Sequence, residues 1–328
     1  MTTLSPGDAV RRVVAIFVRE GCSGDNAHSV ARALVAAEAD GLKGHGLSRV
    51  PTYAAQARVG KVDGFATPSV ERRRPGAAIV DAANGFAFPA IEAALALLPE
   101  MARTAGVACA AVYRSHHCGA AGHPVERLAE RGLVAMMFAN TPAAIAPWGA
   151  AKPLFGTNPI AFACPLPGRP PVVVDLALSK IARGNIMAAK QRGERIPEGW
   201  ALDADGKPTT DPDAALAGTM LPLGDAKGTA LVLMVELLAA GLTGANFAAD
   251  ASSFLDDRGP PPGTGQLIVA FDPAALGGSA DHVARLVGSV ETQPGARLPG
   301  ARRLALRGQS ASDGLKVEDA LVAGIERL

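Results

Sequence analysis

After about residue 70, short apolar runs alternate with helical patterns, and this alternation limits the possible folds more than any other feature of the sequence. Each run is bounded by Gly, Pro or Asp, which is typical of strands that are largely buried. The predicted strands are Ala77–Asp81, Val107–Tyr113, Leu133–Asn140, Ile160–Cys164, Val172–Leu178 and Leu267–Phe271. The predicted helices are Glu92–Ala105, Ala121–Arg131, Ile181–Gln191, Gly228–Leu242 and Asp281–Val290. The pattern indicates a mixed α/β fold.

The first 60 residues differ, because they indicate helices alone. Ser5 is a candidate N-cap before a Pro at the first helical position. Gly41 is a stop signal for a second helix that starts near Ser23. A short loop then leads into a third helix from Arg49 to Gly60. At 328 residues the chain is long enough for about two domains.

No Gly-x-Gly-x-x-Gly fingerprint occurs in the chain. The nearest approach, Gly44–Arg49, lacks the third glycine and does not follow a predicted strand. A Rossmann domain is therefore not predicted. Phosphate-loop and nucleophile-elbow motifs are also missing, and Cys118 beside His117 is the only candidate for an activated nucleophile, so a hydrolase is not favoured.

Charge and composition argue against a nucleic acid or a membrane as a partner. The 32 Lys and Arg residues nearly cancel 31 Asp and Glu, and aromatic residues make up only 4% of the chain, so neither a basic patch nor a stacking platform is expected. The longest apolar stretch, Ala230–Leu242, is interrupted by Glu236 and is shorter than the roughly 20 residues that span a bilayer. Four well-separated cysteines and the lack of a charged-then-apolar leader predict a reducing, cytoplasmic environment.

Three of the six histidines, His116, His117 and His123, fall within eight residues. Residues Ser115–Gly119, which include His116 and His117, form the predicted turn between strand Val107–Tyr113 and helix Ala121–Arg131, where backbone N–H groups at the helix start favour anions. A nucleotide phosphate or a developing oxyanion would suit this turn, although histidines there can also cap the helix or face solvent. Metal binding by His123 and Glu126, at i and i+3, is a weaker hypothesis because a third fixed ligand is missing. No metal site is predicted.

His45 and Arg49 are four residues apart. If a helix begins near Gly46, both side chains project to one side of its first turn. An imidazole beside a guanidinium can hold a 2-oxo or 2-hydroxy acid and move a proton on its oxygen. The alternative is that Arg49 pairs with a structural acid and His45 closes a turn.

Several segments, which follow one another in the same order along the chain, together resemble the type 2 malate/L-lactate dehydrogenase family of NAD(P)-dependent oxidoreductases. These segments are Gly44–Arg49 with Tyr53, Asn84–Phe86, Ser115–Gly119, Pro153–Ala161, Val174–Ser179, Thr210–Pro212 and Lys227–Gly228. The resemblance implies a non-Rossmann α/β fold, with a helical domain built from both chain ends (residues 1–70 and 225–328) and a central mixed-sheet domain (71–224) for NAD or NADP. It also implies a homodimer, and reversible hydride transfer between NAD(P)H and a carbonyl or imine beside a carboxylate.

The same resemblance implies roles for individual residues. His45 would donate or accept the proton, with His117 as an alternative, and Arg49 would hold the substrate carboxylate. Further substrate contacts are implied at Thr157, Arg183 and Gly184. The cofactor-lining positions implied are His117, Cys118, Gly119, Ala120, Ala121, Asp175, Leu176, Ala177, Lys227, Gly300 and Arg302.

Substrates differ among members of the family, and two positions help to choose between them. The cyclic imine reductases carry a Ser directly before the His and an Asp near the Arg-Gly pair, where this chain has Gly44 and Asn185. Without those groups, His45 lacks a partner that orients its ring. A small 2-hydroxy acid of the malate, lactate or sulfolactate type is therefore favoured, and a dianionic substrate could draw a second cation from Lys43, Lys180 or Arg183. Reduction of pyrroline-2-carboxylate or piperideine-2-carboxylate is the alternative, and a poorly catalytic ligand-binding protein is a third hypothesis.

Overall fold

The computed structural model describes all 328 residues. The α-helices are α1 (Pro6–Arg19), α2 (Gly24–Ala39), α3 (Val50–Arg58), α4 (Ala87–Ala105), α5 (Gly122–Ala129), α6 (Arg183–Arg192), α7 (Pro212–Ala217), α8 (Asp225–Glu236), α9 (Ala280–Glu291), α10 (Ala301–Asp313) and α11 (Asp319–Glu326). The strands are β1 (Thr2–Leu4), β2 (Ser69–Arg74), β3 (Ala77–Asp81), β4 (Val107–Ser115), β5 (Val134–Ala139), β6 (Ile160–Leu166), β7 (Arg169–Leu176), β8 (Ala201–Leu202), β9 (Pro208–Thr209), β10 (Thr219–Met220), β11 (Thr264–Phe271) and β12 (Leu315–Val317). Lys43–His45, Leu47–Arg49 and Pro273–Leu276 are 3-10 turns, and Leu237–Gly241 is a π-helical turn.

A seven-stranded sheet with the order β2-β3-β4-β11-β5-β6-β7 forms the centre of the molecule. Only β3 and β4 are parallel, and every other neighbouring pair is antiparallel. Helices α4 and α5 pack on the sheet and enclose a core of 28 buried residues that is rich in Ala, Val and Leu. The predicted mixed α/β class is therefore confirmed, and all six predicted strands are present.

The second core is helical and comes from both ends of the chain. Helices α1, α2 and α3 pack with β12 and α11, and 22 buried residues lie between them. Ser5 caps α1 by accepting a hydrogen bond from the Asp8 amide at 3.0 Å, as the sequence predicts. Strands β1 and β12 pair and join the two chain ends directly. Both chain ends therefore contribute to one helical core.

A third cluster of 15 buried residues lies around α6, α7, α8 and the small sheet β10-β8-β9. The sequence pattern does not separate this cluster from its neighbours. Strand β11 lies in the middle of the large sheet, although its sequence position falls in the range predicted for the helical domain. The division into a helical domain (residues 1–70 and 225–328) and a sheet domain (residues 71–224) stays a prediction. Strand β11 is the segment of the range 225–328 that belongs to the large sheet.

The differences from the predicted elements have local causes. Strand β2 is exposed along its whole length and carries three arginines, so it lacks the apolar alternation that marks a strand. Arginines on such an outer strand also oppose edge-to-edge pairing. No helix is both long and apolar enough to cross a bilayer.

Candidate active site

Chemistry-bearing residues collect along one edge of the large sheet, where β4, β5 and β7 end and β6 and β11 begin. The pairing register defines this edge, because Ser115 lies opposite Thr264, Ala139 opposite Gln266, and Ile160 opposite Leu176. Loops that leave or enter these strands therefore meet there. We call it the site edge.

His45 and His117 stack on each other at the site edge. Their ring centroids are 5.2 Å apart and their planes differ by 10°. Tyr53 is fully buried, and its hydroxyl shares a hydrogen bond with Nδ1 of His117. Phe254 packs on the His117 ring with a centroid distance of 5.2 Å. The helical core and the sheet therefore meet through this pair of histidines.

The segment that presents His45 is not the first turn of a helix, so that part of the prediction is wrong. Two 3-10 turns precede α3, and Gly46 separates them. A side chain at Gly46 would collide with the Glu38 carboxylate, which accepts a hydrogen bond from the Leu47 amide at 3.0 Å. Glu38 is buried, and Lys43 pairs with it. The carboxylate thus shapes the turn that carries His45.

Arg49 folds back over the same turn. Its Nε donates a hydrogen bond of 2.6 Å to the Gly44 carbonyl, and its side chain is half-buried. The two terminal nitrogens form no ion pair with any acid of the chain, so the alternative that Arg49 serves a structural acid is not supported. A guanidinium held through Nε keeps its paired terminal N–H groups for a carboxylate.

Burial keeps these imidazoles neutral. Desolvation, followed by the positive charge of Arg49, lowers the pKa of His45 to about 4. Burial and the same charge hold the pKa of His117 well below its usual range. Nδ1 of His45 is enclosed without a hydrogen-bond partner, so Nε2 is the ring nitrogen that a ligand can reach. An anion on Arg49 would offset its charge and favour the protonated form of His45.

The remaining predicted substrate positions lie in the segment between β5 and β6 and after the end of β7. The Thr157 amide donates a hydrogen bond of 2.9 Å to the hydroxyl of Thr141, just beyond β5. Arg183 and Gly184 begin α6, and Nη2 of Arg183 donates to the Leu216 carbonyl at 3.3 Å. Nε of Arg183 is buried without a partner. No hydrogen bond joins Thr157 or Arg183 to His45, Arg49 or His117.

The predicted cofactor positions converge from three segments. The Gly122 amide at the start of α5 donates a 2.7 Å hydrogen bond to Asp175, close to the loop formed by residues 117–121. A side chain at Gly300 would come within 3.3 Å of the Val173 carbonyl, so the start of α10 lies against β7. The Leu223 amide bonds to the Leu178 carbonyl at 2.9 Å, which brings the α8 N-terminus close to the end of β7. Lys227 and Arg302 lie in these first helical turns, and both are exposed.

His123 and Glu126 take part in ion pairs instead of forming a metal site. His123 Nε2 lies 2.9 Å from Oδ2 of the fully buried Asp40. Arg303 and Arg307 bridge Asp40 and Glu126 at 2.7 to 2.8 Å. Burial raises the pKa of Asp40, but hydrogen bonds from Arg307, His123 and Arg303 outweigh it and keep this pKa below its usual range. The network joins α2, α5 and α10.

Three residues contribute to this region although no contact is predicted for them from the sequence. Tyr53 lies four residues after Arg49, a helical spacing that could have suggested its contact with the histidines. Glu236 is the only charge in the apolar stretch Ala230–Leu242, which was an available signal of a buried polar contact. Phe254 lies in an irregular segment and gives no sequence signal.

Comparison with known proteins identifies the family to which this geometry belongs. The sequence profile of the malate/L-lactate dehydrogenase family matches residues 4–326. The chain belongs to this family. It is accordingly an oxidoreductase that uses NAD or NADP, and the predicted resemblance is confirmed.

Two curated members of the malate/L-lactate dehydrogenase family match along most of their length. The (2R)-3-sulfolactate dehydrogenase (NADP(+)) of Chromohalobacter salexigens is 52% identical over 321 residues, which cover 97% of this chain and 96% of that protein. The Δ1-pyrroline-2-carboxylate/Δ1-piperideine-2-carboxylate reductase of Pseudomonas putida is 43% identical, with coverage of 96% and 93%. Both activities considered in the sequence analysis, oxidation of a 2-hydroxy acid and reduction of a cyclic imine, therefore occur among the relatives of this chain.

Solved structures of the family share the whole fold. The Δ1-piperideine-2-carboxylate reductase of Pseudomonas syringae superposes with a TM-score of 0.92 at 40% identity, covering 100% of this chain and 99% of that chain. The sulfolactate dehydrogenase of Methanocaldococcus jannaschii gives a TM-score of 0.90 at 28% identity, with coverage of 99% and 96%. The non-Rossmann fold class predicted from the sequence is confirmed by this agreement.

Proposed function

We propose that the protein is an NADP(H)-dependent dehydrogenase of a small 2-hydroxy acid of the sulfolactate type. The observation that carries the proposal is the shared placement of His45 and Arg49, with a reachable imidazole nitrogen beside an unpaired guanidinium. These are the groups needed to hold a carboxylate and to move a proton on the neighbouring oxygen. The 52% identity to an NADP-dependent sulfolactate dehydrogenase supports this substrate class and this cofactor.

In the proposed reaction, Arg49 binds the substrate carboxylate through its two terminal nitrogens. This contact sets the 2-oxo group toward Nε2 of His45. During reduction, Nε2–H donates its proton to the carbonyl oxygen, and in the reverse direction neutral Nε2 accepts the proton of the hydroxyl. Bound NADP(H) supplies or accepts the hydride at the substrate carbon. His117 stacks on His45 and keeps its ring in place.

The predicted cofactor positions suit a dinucleotide. Side chains at Gly122 and Gly300 would press against Asp175 and the Val173 carbonyl, so glycine at these positions lets the starts of α5 and α10 pack closely on β7. Lys227 and Arg302 are exposed cations in the first turns of α8 and α10, where helix N-termini also favour phosphate. We assign cofactor contacts to these residues, to residues 117–121 and to Asp175–Ala177.

The surroundings of His45 favour a hydroxy acid over a cyclic imine as the substrate. Nδ1 of His45 is buried without a partner, so no hydroxyl or carboxylate orients the ring from behind. A side chain at Gly44 would meet open space, so crowding does not explain why this chain lacks the Ser hydroxyl of the imine reductases at this position. Lys43 already pairs with Glu38, which leaves Lys180 and Arg183 as candidates for the second charge of a dianionic substrate.

A substrate panel tests the proposed function. NADPH and NADH oxidation would be measured with sulfopyruvate, oxaloacetate, pyruvate, pyrroline-2-carboxylate and piperideine-2-carboxylate. We expect the highest kcat/KM for sulfopyruvate with NADPH. Higher kcat/KM for a cyclic imine than for every 2-oxo acid would favour the alternative, imine reduction. Absence of both NADPH and NADH binding in a fluorescence titration would reject both reactions and leave the ligand-binding hypothesis.

The pH dependence should reflect the depressed pKa of His45, about 4. Above this pH the ring is neutral and ready to accept a proton, so kcat/KM for hydroxy-acid oxidation should stay level from pH 8 to about 5.5 and fall near 4. Reduction needs the protonated ring, so its kcat/KM should fall about tenfold for each pH unit above 4. Profiles of kcat/KM in both directions measure this. An inflection near 6.5, the value for an unperturbed histidine, would contradict it.

A homodimer is also proposed, and α8 is its candidate contact. This helix and the turn after it expose a set of large apolar side chains, each 39 to 70% accessible: Leu231, Leu233, Met234, Leu237 and Leu242. A helix that is apolar all round is normally buried against a partner, and oligomers are most often two-fold dimers. A second copy of the chain is the partner that the family resemblance implies.

Leu237→Glu should weaken this dimer. Placing a charge in the apolar face costs association free energy, so light scattering after size exclusion should give a monomer mass at low micromolar concentration. Leu286→Glu is the matched control, because Leu286 is equally large and 70% exposed but lies on α9. If Leu237→Glu remains a dimer, the proposed contact surface is wrong.

A cytoplasmic location remains a proposal. All four cysteines are free thiols, as suits a reducing compartment. Burial raises the pKa of both Cys22 and Cys118 to about 12, so neither is a reactive thiolate. Fractionation of cells that express the protein at its native level would test the location.

A further inference from the structure

Glu236 is a buried carboxylate with no cation partner, on the helix that otherwise carries only apolar residues in this stretch. It is 4% exposed and ends α8. Three N–H donors hold it: Oε1 accepts from Asn140 Nδ2 at 3.2 Å and from the Ala248 amide at 2.7 Å, and Oε2 accepts from Asn158 Nδ2 at 2.7 Å. Burying an ionised group is costly, and hydrogen bonds of this kind offset the cost.

The backbone around Glu236 is built to bring it against the site edge. The π-helical turn Leu237–Gly241 follows it directly, and such turns are frequent at functional sites. A side chain at Gly265 would collide with the Ala239 carbonyl of this turn, so β11 approaches closely only because residue 265 is glycine. The Gly265 amide in turn donates to Asn140 Oδ1 at 2.8 Å. Glu236 thus contacts the end of β5 and the segment before β6 together.

A chain of hydrogen bonds leads from Glu236 to Thr157. Asn158 is fully buried and has a positive φ of 37°, and its Oδ1 accepts from the Thr141 amide at 3.3 Å. The Thr141 hydroxyl accepts from the Thr157 amide at 2.9 Å and lies 3.3 Å from the Thr157 hydroxyl. Asn158 Nδ2 also donates to the Val232 carbonyl at 3.2 Å. The Glu236 carboxylate and this carbonyl only accept, so together they fix which end of the Asn158 amide faces Thr141.

We propose that Glu236 is a positioning residue, which sets the Thr157 hydroxyl for the substrate through Asn158 and Thr141. The inference rests on the proposed function and on Thr157 as a substrate contact, the role that the family resemblance implies for it. Replacing the carboxylate with an amide places an N–H group opposite one of the three donors. If the Asn158 amide then flips to avoid that N–H, its own NH2 faces the Thr141 N–H. Two donors then oppose each other one step closer to Thr157.

Glu236→Gln, Thr157→Val and the double variant test this coupling. We expect Glu236→Gln to raise KM for sulfopyruvate about tenfold and to leave kcat within about twofold. A tenfold change in KM corresponds to the loss of about one hydrogen bond. In the Thr157→Val background the same change should cost less than about twofold. Thr141→Val breaks the chain closer to Thr157 and should reproduce the KM effect even if Glu236→Gln folds poorly. Glu291→Gln, in a surface pair with Arg169, is the matched control.

Hydrogen–deuterium exchange supplies a readout that does not depend on activity. Peptides that contain Thr141 and Thr157 should exchange at least about fivefold faster in Glu236→Gln, whereas α1 should not change. Two results would overturn the inference. One is that the fold-losses in kcat/KM of Glu236→Gln and Thr157→Val simply multiply in the double variant, which means that the two residues act independently. The other is that hydrogen exchange at Thr141 and Thr157 does not change in Glu236→Gln. A wild-type enzyme inactive on every 2-oxo acid would reject the proposed function instead, and the exchange result would still decide whether Glu236 controls Thr157.

Discussion

Replacing Arg49 with Ala is expected to lower kcat/KM for the 2-oxo acid by about a thousandfold. Removing one partner of a hydrogen-bonded charge pair typically costs about 2 to 5 kcal/mol, and each 1.4 kcal/mol corresponds to about a factor of ten. Arg49 qualifies because its terminal nitrogens are unpaired and its Nε is held by the Gly44 carbonyl. Steady-state kinetics with sulfopyruvate at saturating NADPH would measure the loss.

Two controls separate this role from a loss of structure. Arg49→Lys keeps the charge but not the paired N–H groups, so it should recover only part of kcat/KM. The dissociation constant for NADPH should change by less than about threefold, because the proposed cofactor residues lie elsewhere on the site edge. If Arg49→Ala stays within about threefold of the parent for every 2-oxo acid, Arg49 does not bind the carboxylate.

Replacing His45 with Gln is expected to lower kcat in both directions by about a hundredfold to ten-thousandfold, the usual contribution of a positioned acid or base. Gln offers an amide of similar reach that does not titrate near neutral pH. The pH inflection assigned to His45 should disappear with the substitution. Measurement of kcat for sulfopyruvate reduction and for sulfolactate oxidation would record both effects.

Two other histidines serve as comparisons for this variant. His28→Gln changes an exposed histidine of α2 and should leave kcat within about twofold. His117→Gln is the informative comparison, because His117 stacks on His45 and also lies in the proposed cofactor loop. We expect it to weaken NADPH binding more than it lowers kcat. The reverse pattern, with His45→Gln nearly active and His117→Gln inactive, would transfer the proton role to His117.

Strands were the part of the fold that the sequence predicted best, because each apolar run is long enough to be buried and is bounded by a turn residue. Strand β11 shows the limit of this reasoning. Its apolar run predicts a strand, but nothing local indicates that it inserts between β4 and β5, some 125 residues or more earlier in the chain. Strand order depends on long-range pairing, which periodicity does not encode.

The candidate site was predictable in its residues more than in its geometry. The spacing of His45 and Arg49 suggested a shared helical face, whereas the observed cause is a pair of 3-10 turns shaped by the Glu38 carboxylate. The stacking of His45 on His117 joins residues 72 positions apart and leaves no local trace. Burial of those rings, and hence their lowered pKa values, follows from packing between two separate cores.

A crystal structure of the ternary complex with NADP+ and oxalate, an unreactive analogue of a 2-oxo acid, would test the central claim most directly. One carboxylate of the analogue should lie about 3 Å from both terminal nitrogens of Arg49, and an oxygen of its other end should lie about 3 Å from Nε2 of His45. An analogue bound elsewhere, with His45 and Arg49 making no contact to it, would contradict the proposed active site.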